Sequence, residues 1–384
     1  MPLHPTVAEV SALRQTWSEA MVGAAIESAR ARHRAPGKLH PELVQRLVAD
    51  QQGVMVASSS VAGAHKASTF ARAAERAVFD LCCGIGADAF ELATAGLDVT
   101  AVDLDPSRAL MTRHNAQCTV VVDDCTSHHW LARLEGKLVH MDPSRRTGGR
   151  RLHRYEDYQP GPDAIAQILD AAGGACLKLG PGVEFAALPS PPDSFVELLS
   201  EGGRLTQALL WSGALACVDA LPAEHRVATL LPEGHRFHAT PGPLVEVDRW
   251  YDGDGDTRPI MDYVYDADPA LERGGLLGPF AEQCGLRPVH PAVGVLTGDQ
   301  IVESPWLVRY DVLASMPWRR KAVRAELRRL DAGVVAIKTR GKLVDPDAVQ
   351  KELRGRGDAA LTVFVLRLGE KATAIIARRV DASG

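Results

Sequence analysis

Asp80, Asp103 and Asp124 each close a short strand-like apolar run: "AVFDL", "LDVTAVD" and "CTVVVDD". Between the first two lies Cys82-Cys83-Gly84-Ile85-Gly86. Glycines at 84 and 86 let a backbone approach a ligand with no Cβ in the way. Asp103 stands 19 residues beyond Gly84, the usual offset for an acid that takes a ribose hydroxyl pair. Residues 84–89 also satisfy the loose G-x-G-x-x-A dinucleotide pattern. A pyrophosphate, however, wants donors around it, and here Asp80 precedes the loop while Asp88 follows it. A cation is the better guest. S-adenosylmethionine offers a sulfonium, an ammonium, a ribose diol and an adenine amine. Asp80 would take the ammonium, directly or through water, Asp103 the ribose and Asp124 the amine. The competing reading has Asp80 and Asp103 merely capping the helices that follow.

A second cluster reads "HMDPSRRTGGRRLHR". Five arginines and His153 follow an Asp-Pro pair, around two glycines. An arginine stays protonated and cannot act as a base, but it can grip phosphate or carboxylate with two parallel hydrogen bonds. Arg145, Arg146 and Arg150 are therefore candidate anion ligands. The alternative is a solvated loop paired with Glu156 and Asp157.

These residues need a frame. Residues 10 to about 75 carry helical periodicity: one helix before Pro36-Gly37, a second over "HPELVQRLVADQQGVMVAS" opened by Pro41, and a third over "SSSVAGAHKASTFARAA". Five strand-like runs follow, from "AVFDL" to "GGACLKL", the first pairs separated by helical segments. That alternation predicts a parallel sheet covered by helices on both faces. "SFVELLSEGGRLTQALLWSG" then reads as a hairpin turning at Gly202-Gly203. Residues 220–304 are poor in pattern, with "YDGDGDTRP" an acidic turn or loop. From Pro305 on, a helix, a strand, a helix and two strands form a small α+β unit. The expected divisions are a helical region 1–75, a ligand-binding sheet domain 76–220, an extension 221–304 and the α+β domain 305–384.

The 384 residues carry a net charge of −5, so bulk charge does not mark a polyanion binder. The distribution says more. Residues 305–384 hold 17 Lys and Arg against 9 Asp and Glu, a balance of +8, which leaves −13 for residues 1–304. Arg320, Arg324 and Arg328 fall on one face of a helix, and Arg340, Lys342, Arg354 and Arg356 add to the patch. This is the footprint expected of a nucleic-acid partner. No aromatics interleave it, which favours backbone or shape reading. The seven cysteines show no CxxC pair and no zinc-like spacing, so no metal site is expected and a reducing cytoplasm suits them. No run of about 18 apolar residues points to a membrane span.

"FDLCCGIGADAFELATAGLDVTAVDLDP" resembles motifs I and II of class I S-adenosylmethionine-dependent methyltransferases, and Asp123-Asp124 resembles their motif III. More narrowly, "VAGAHKASTFA", "MDPSRR", "LLSEGGRLTQALLWSG", "YVYDADPAL" and "IKTRGKLVD" resemble bacterial, largely actinobacterial, members with a C-terminal THUMP-like domain. The resemblance implies a Rossmann-like α/β fold, parallel with a terminal antiparallel hairpin. It implies cofactor contacts from Asp80, Cys82, Gly84, Gly86, Asp103, Leu104 and Asp124, with Lys66 meeting the cofactor's carboxylate. It places Asp142-Pro143-Ser144-Arg145 at the acceptor motif, with Asp142 orienting or deprotonating the acceptor. Nucleic-acid amino methyltransferases read Asp/Asn-Pro-Pro-aromatic there; Ser144 and Arg145 depart from that pattern. The Asp-Pro-x-Arg form also resembles uracil C5 methyltransferases, which need a thiol nucleophile. Cys176 is the nearest candidate, though a cysteine in an apolar strand is more often a buried hydrophobe. Because THUMP domains bind RNA in several modification enzymes, the resemblance implies RNA methylation. The alternatives are an anionic small-molecule or protein acceptor, and an inactive RNA-binding protein on the same fold.

Overall fold

The computed structural model describes residues 5–147, 150–151, 154–191, 193–219, 221–222, 224–244, 260–290, 293–340, 343–368 and 371–380, with backbone alone at 146–147 and 150–151. The chain forms two compact units. The first is Met1–Glu201 with Leu205–His225 and Leu231–Gly234; the second is Gly202–Arg204, Arg226–Leu230 and His235–Gly384.

The helical N-terminal region is more broken than the periodicity predicts. The first expected helix is two, α1 (Val7–Arg14) and α2 (Glu19–Arg34), because Ser18 caps a new start by accepting from the Met21 N–H. The second is also two, α3 (Pro41–Arg46) and α4 (Gln51–Val56). Here Asp50 caps α4, and the Asn115 amide holds Val48 in the gap through both its N–H and its carbonyl, at 2.9 Å each. A tertiary contact from a residue far along the chain overrides local helix propensity. The third helix, α5, spans Ser60–Ala71.

The first unit's sheet takes β1 (Ala77–Leu81), β2 (Asp98–Asp103), β3 (Thr119–Val122), β4 (Leu138–Met141), β5 (Gly174–Leu179), β6 (Ser194–Glu201) and β7 (Arg204–Gly213). Their spatial order is β3-β2-β1-β4-β5-β7-β6. The first five are parallel, and β7 runs antiparallel to β5. Gly202 and Gly203, at φ 56° and 73°, supply the two positive-φ positions of a tight hairpin turn. Strand order reverses between β2-β1 and β4-β5, so a crevice opens at the carboxyl ends there. All of β4 and β5 is buried, including His140 and Lys178. Helices α6 (Ala87–Thr94) and α7 (Pro106–Ala116) follow β1 and β2. Gly86 enters α6 at φ 79°, and a Cβ there would stand 2.9 Å from Thr112 Cα, so only glycine lets α6 and α7 approach this closely.

The second unit holds a seven-stranded sheet of β8 (Tyr263–Ala267), β9 (Arg287–Pro288), β10 (Val295–Gly298), β11 (Leu307–Pro317), β12 (Ala332–Thr339), β13 (Ala359–Leu368) and β14 (Lys371–Val380). The order is β9-β10-β8-β11-β14-β13-β12, antiparallel except for β12 with β13. Helices α8 (Arg320–Arg329) and α9 (Pro346–Leu353) pack Val323, Leu327, Val349 and Leu353 into its core. The eleven-residue β11 has no counterpart in the sequence reading. Tyr310 alone is fully buried along it, so hydrophobic alternation is faint, and pairing with β8 and β14 fixes it instead. The acidic stretch 251–259 lies outside the described residues.

Candidate active site

A cavity of about 1140 Å³ opens at the carboxyl ends of β1, β2 and β4, lined from the first unit by Asp80, Cys82, Gly84, Asp103, Leu104, Asp124, Asp142, Pro143, Ser144 and Arg145 among others. The motif residues that were expected on one cleft therefore share one. Gly86 supports the loop from behind, against Thr112. Asp103, at the last position of β2, accepts the Gly84 N–H at 2.9 Å and the Asp105 N–H at 3.0 Å. One carboxylate so fixes the glycine loop and the start of α7 together. Asp124, exposed, accepts from the Thr126 N–H and hydroxyl.

Under the cavity lies a buried chain of ionisable groups. The Lys66 ammonium pairs with Asp88 Oδ1 at 2.6 Å and donates to Ser58 Oγ at 3.0 Å and His140 Nε2 at 3.2 Å. Those three partners use its three N–H bonds. Because His140 Nε2 faces an ammonium it must accept, so the ring proton sits on Nδ1. Nδ1 then donates to Asp80 Oδ1 at 2.7 Å. The other oxygen, Asp80 Oδ2, is buried with no hydrogen-bond partner among the described residues. Burial pushes the Asp80 carboxyl up. Burial acts on Asp88 in the same sense, but the ammonium groups of Lys66 and Lys178 outweigh it and hold that carboxyl well down. An orphan carboxylate oxygen at the edge of a cavity is an acceptor awaiting a cationic donor, which fits the ammonium end of S-adenosylmethionine.

Lys66 itself departs from expectation. It is 1% exposed, and its donors are spent on Asp88, Ser58 and His140 rather than turned to a cofactor carboxylate. A lysine can stay charged inside only where such partners exist. Cys176 is fully buried in β5 and its thiol is pushed up by burial, so it is a packing residue and not a nucleophile at the cavity.

At the other end, Asp142 follows β4 and its Oδ2 accepts from Lys178 Nζ at 2.6 Å. Lys178 and His140 were not anticipated. The available signal was a lysine within the otherwise apolar "GACLKL", since lysine is almost never buried unless paired. Arg145 crosses beside Gly180, where a Cβ would meet its Nη1 at 2.8 Å; Gly180 donates its N–H to the Tyr158 hydroxyl at 3.1 Å. Arg146 and Arg150 belong to a two-residue antiparallel ladder, and their side chains lie outside the described residues. In the second unit, Arg320 pairs with Glu352 at 3.0 Å, Arg324 donates to the Glu352 carbonyl at 2.7 Å, and Arg328 is exposed.

Comparison with known proteins gives the arrangement a family. The THUMP domain-like family matches residues 307–379. A solved structure of a candidate methyltransferase from Porphyromonas gingivalis superposes with a TM-score of 0.74 at 17% identity, over 95% of this chain and 92% of that one; at that identity the likeness speaks to the fold. An uncharacterized S-adenosylmethionine-dependent methyltransferase of Mycobacterium tuberculosis, found in two strains, is 30% identical over 352 residues, 90% of this chain and 92% of the relative. No helix among the described residues is long and apolar enough to cross a membrane. With its sheet order, its acid-lined crevice and that relative, the chain belongs to the S-adenosylmethionine-dependent methyltransferases and carries a THUMP-like domain at its C-terminal end.

Proposed function

We propose that this enzyme methylates RNA, with Asp142 at the acceptor and the 145–154 segment holding phosphate. The observation that carries the reading is the pairing, in one chain, of a methyltransferase cavity with a THUMP-like domain rich in arginine. The cofactor supplies an activated methyl group on a sulfonium. Asp80 Oδ2 takes its ammonium, Asp103 its ribose diol and Asp124 its adenine amine; Cys82, Gly84 and Leu104 line its bed, which Gly86 supports. Asp103 is already fixed by two backbone N–H groups, so it enters binding preorganised. Asp142, locked at Oδ2 by Lys178, has Oδ1 left for the acceptor. Since the donor is already activated, holding the acceptor atom in line supplies much of the rate. Pro143, Ser144 and Arg145 shape the entrance, and Arg145, Arg146 and Arg150 bind phosphate. Arg320, Arg324 and Arg328 bind the RNA backbone away from the chemistry, and the reaction belongs to the cytoplasm.

The test is transfer of a labelled methyl group from S-adenosylmethionine to total RNA from a strain lacking the gene. Nuclease-sensitive label in RNA supports the reading. Label only in protein or in small acidic molecules would replace it with the anionic-acceptor alternative. No turnover on any fraction, with intact cofactor and RNA binding, would favour an inactive RNA-binding protein.

A further inference from the structure

The acceptor end of the cavity has a charge pattern that the reading above leaves unused. Helix α4 ends at Met55 and Val56, whose carbonyls have no partner further along the helix. The Lys38 ammonium donates to the Met55 carbonyl at 2.7 Å, and Lys178 Nζ lies 3.4 Å from the Val56 carbonyl. Two amines on successive carbonyls are close neighbours, and both line the cavity with Asp142. Burial, with Lys178 nearby, brings Lys38 down to about 8, so neutral amine becomes a substantial share of it as the pH approaches 8. Glu201, ending β6, also lines this end; its Oε1 accepts from Ser59 at 2.8 Å and Thr206 at 3.1 Å.

Three acceptor types can be weighed against this pattern. An amine builds up positive charge as it takes a methyl group, and the Lys178 ammonium beside it opposes that. A pyrimidine carbon needs a thiol nucleophile; Cys176 is sealed in β5, and the thiols on the cavity wall, Cys82, Cys83 and Cys125, belong to the glycine-loop end that the cofactor takes, with Cys82 and Cys125 hydrogen-bonded to each other. A base of either kind is gripped by stacking, yet no Phe, Tyr or Trp lines the cavity among the described residues. A hydroxyl fits all three observations. Its oxygen becomes more negative as its proton leaves, which a neighbouring ammonium stabilises, and it needs a nearby base.

We propose, resting on the RNA reading, that the acceptor is a ribose 2′-hydroxyl, with Lys38 and Lys178 as catalytic residues beside Asp142. The hydroxyl gives its proton to the neutral Lys38 amine, and its oxygen forms the new O–CH₃ bond. The S–CH₃ bond breaks with its electron pair left on sulfur, so the products are a methyl ether, a neutral thioether and Lys38 as ammonium. The Lys178 ammonium, anchored by Asp142 Oδ2, faces the oxygen as it loses its proton. Arg145, on the same cavity, takes the phosphate that adjoins a 2′-hydroxyl in RNA, and DNA lacks that hydroxyl.

The experiment labels total RNA from the gene-deletion strain with methyl-labelled cofactor, then hydrolyses it in alkali. A 2′-O-methyl group blocks cleavage of the adjoining phosphodiester, so label is expected in alkali-stable dinucleotides. Label released wholly in mononucleotides would overturn the ribose proposal while leaving RNA as substrate; label absent from RNA would overturn both. On the labelled RNA, Lys38→Met should lower single-turnover rates by about 100-fold or more, the usual worth of a positioned base. Its cofactor affinity should stay within about twofold, since the loss falls on transfer rather than on binding. The base must be unprotonated to act, so the wild-type rate should rise with pH and level off above about 8. Lys38→Met should lose that rise. A wild-type profile that keeps its inflection in Lys38→Met removes the amine from the reaction.

Discussion

Around Asp103 every anchor is short-range or comes from the loop beside it: the N–H groups of Gly84 and Asp105, two residues away, hold both carboxylate oxygens. Around Asp142 the anchors come from far along the chain. Lys178 reaches it from β5, 36 residues on, while Lys38 and Glu201 arrive from the N-terminal region and the end of β6. One end of the cavity is a local motif and the other is a constellation assembled by the sheet. The first can be carried as a unit among enzymes with different acceptors. The second changes whenever any of four distant segments changes, and specificity for the acceptor would reside there.

The largest effect should come from breaking the constellation. Asp142→Asn keeps the shape but removes the charge that anchors Lys178. Turnover on RNA should fall by about 100-fold or more, with cofactor affinity within about twofold, because the loss falls on the transfer step. Single-turnover kinetics and calorimetry separate the two. A parallel loss of cofactor affinity would mean the two ends are not independent, and the comparison would fail.

Breaking the motif should do the reverse. Asp103→Ala should weaken S-adenosylmethionine binding by at least ~1.5 kcal/mol, since a charged acceptor loses its hydrogen bonds to the ribose and the glycine loop loses its tie. Calorimetry measures it directly. Unchanged affinity in a folded variant would take Asp103 out of the cofactor site.

The same contrast explains what could be read from the amino acids alone. Asp80, the glycine loop and Asp103 lie within one strand-turn-helix-strand stretch, so spacing exposes them and the parallel sheet with its hairpin follows from the same alternation. Lys178 is a single polar residue in an apolar strand, and only the register of β5 beside β4 brings it to Asp142. Lys38 looks like any lysine after a Pro-Gly turn; its neighbours at Met55 and Val56 depend on the break between α3 and α4. That break rests on Asn115, 67 residues from Val48. Lys66 misled for a related reason. Its place before β1 suggested a cofactor contact, but α5 buries it against Asp88, which no local pattern records. β11 was missed because its faces are nearly equal in burial, and strand pairing rather than alternation defines it.

A smaller effect should come from the scaffold shared by both ends. Gly86→Ala puts a side chain at φ 79° and a Cβ 2.9 Å from Thr112 Cα. Strain of this kind costs about 1–3 kcal/mol, so the midpoint of chemical denaturation should fall. Cofactor binding should weaken as α6 shifts from α7. Wild-type stability in this variant would mean the close approach of the two helices carries no weight.

The smallest effect on chemistry is expected from the arginines of α8. Arg320 and Arg324 are tied to Glu352 and its carbonyl, and Arg328 is exposed, but a guanidinium has five donors and these contacts leave most of them available. Replacing all three with alanine should weaken RNA binding and flatten its salt dependence. For single-stranded RNA each lost phosphate contact should reduce the log–log slope by about 0.7. Cofactor affinity and the single-turnover rate at saturating RNA should hold, because these residues act on association rather than on the reacting atoms. Gly180→Ala offers the matched variant at the cavity, since the new methyl group would displace Arg145 by meeting its guanidinium at 2.8 Å. That change should lower the rate at saturating RNA and leave the salt slope nearly intact. Filter binding at several salt concentrations, with single-turnover methylation on the same RNA, measures both variants together. If the triple variant binds RNA like wild type at every salt concentration, the basic helix is a solvated face. The anionic small-molecule acceptor then becomes the better account of the arginines beside Asp142.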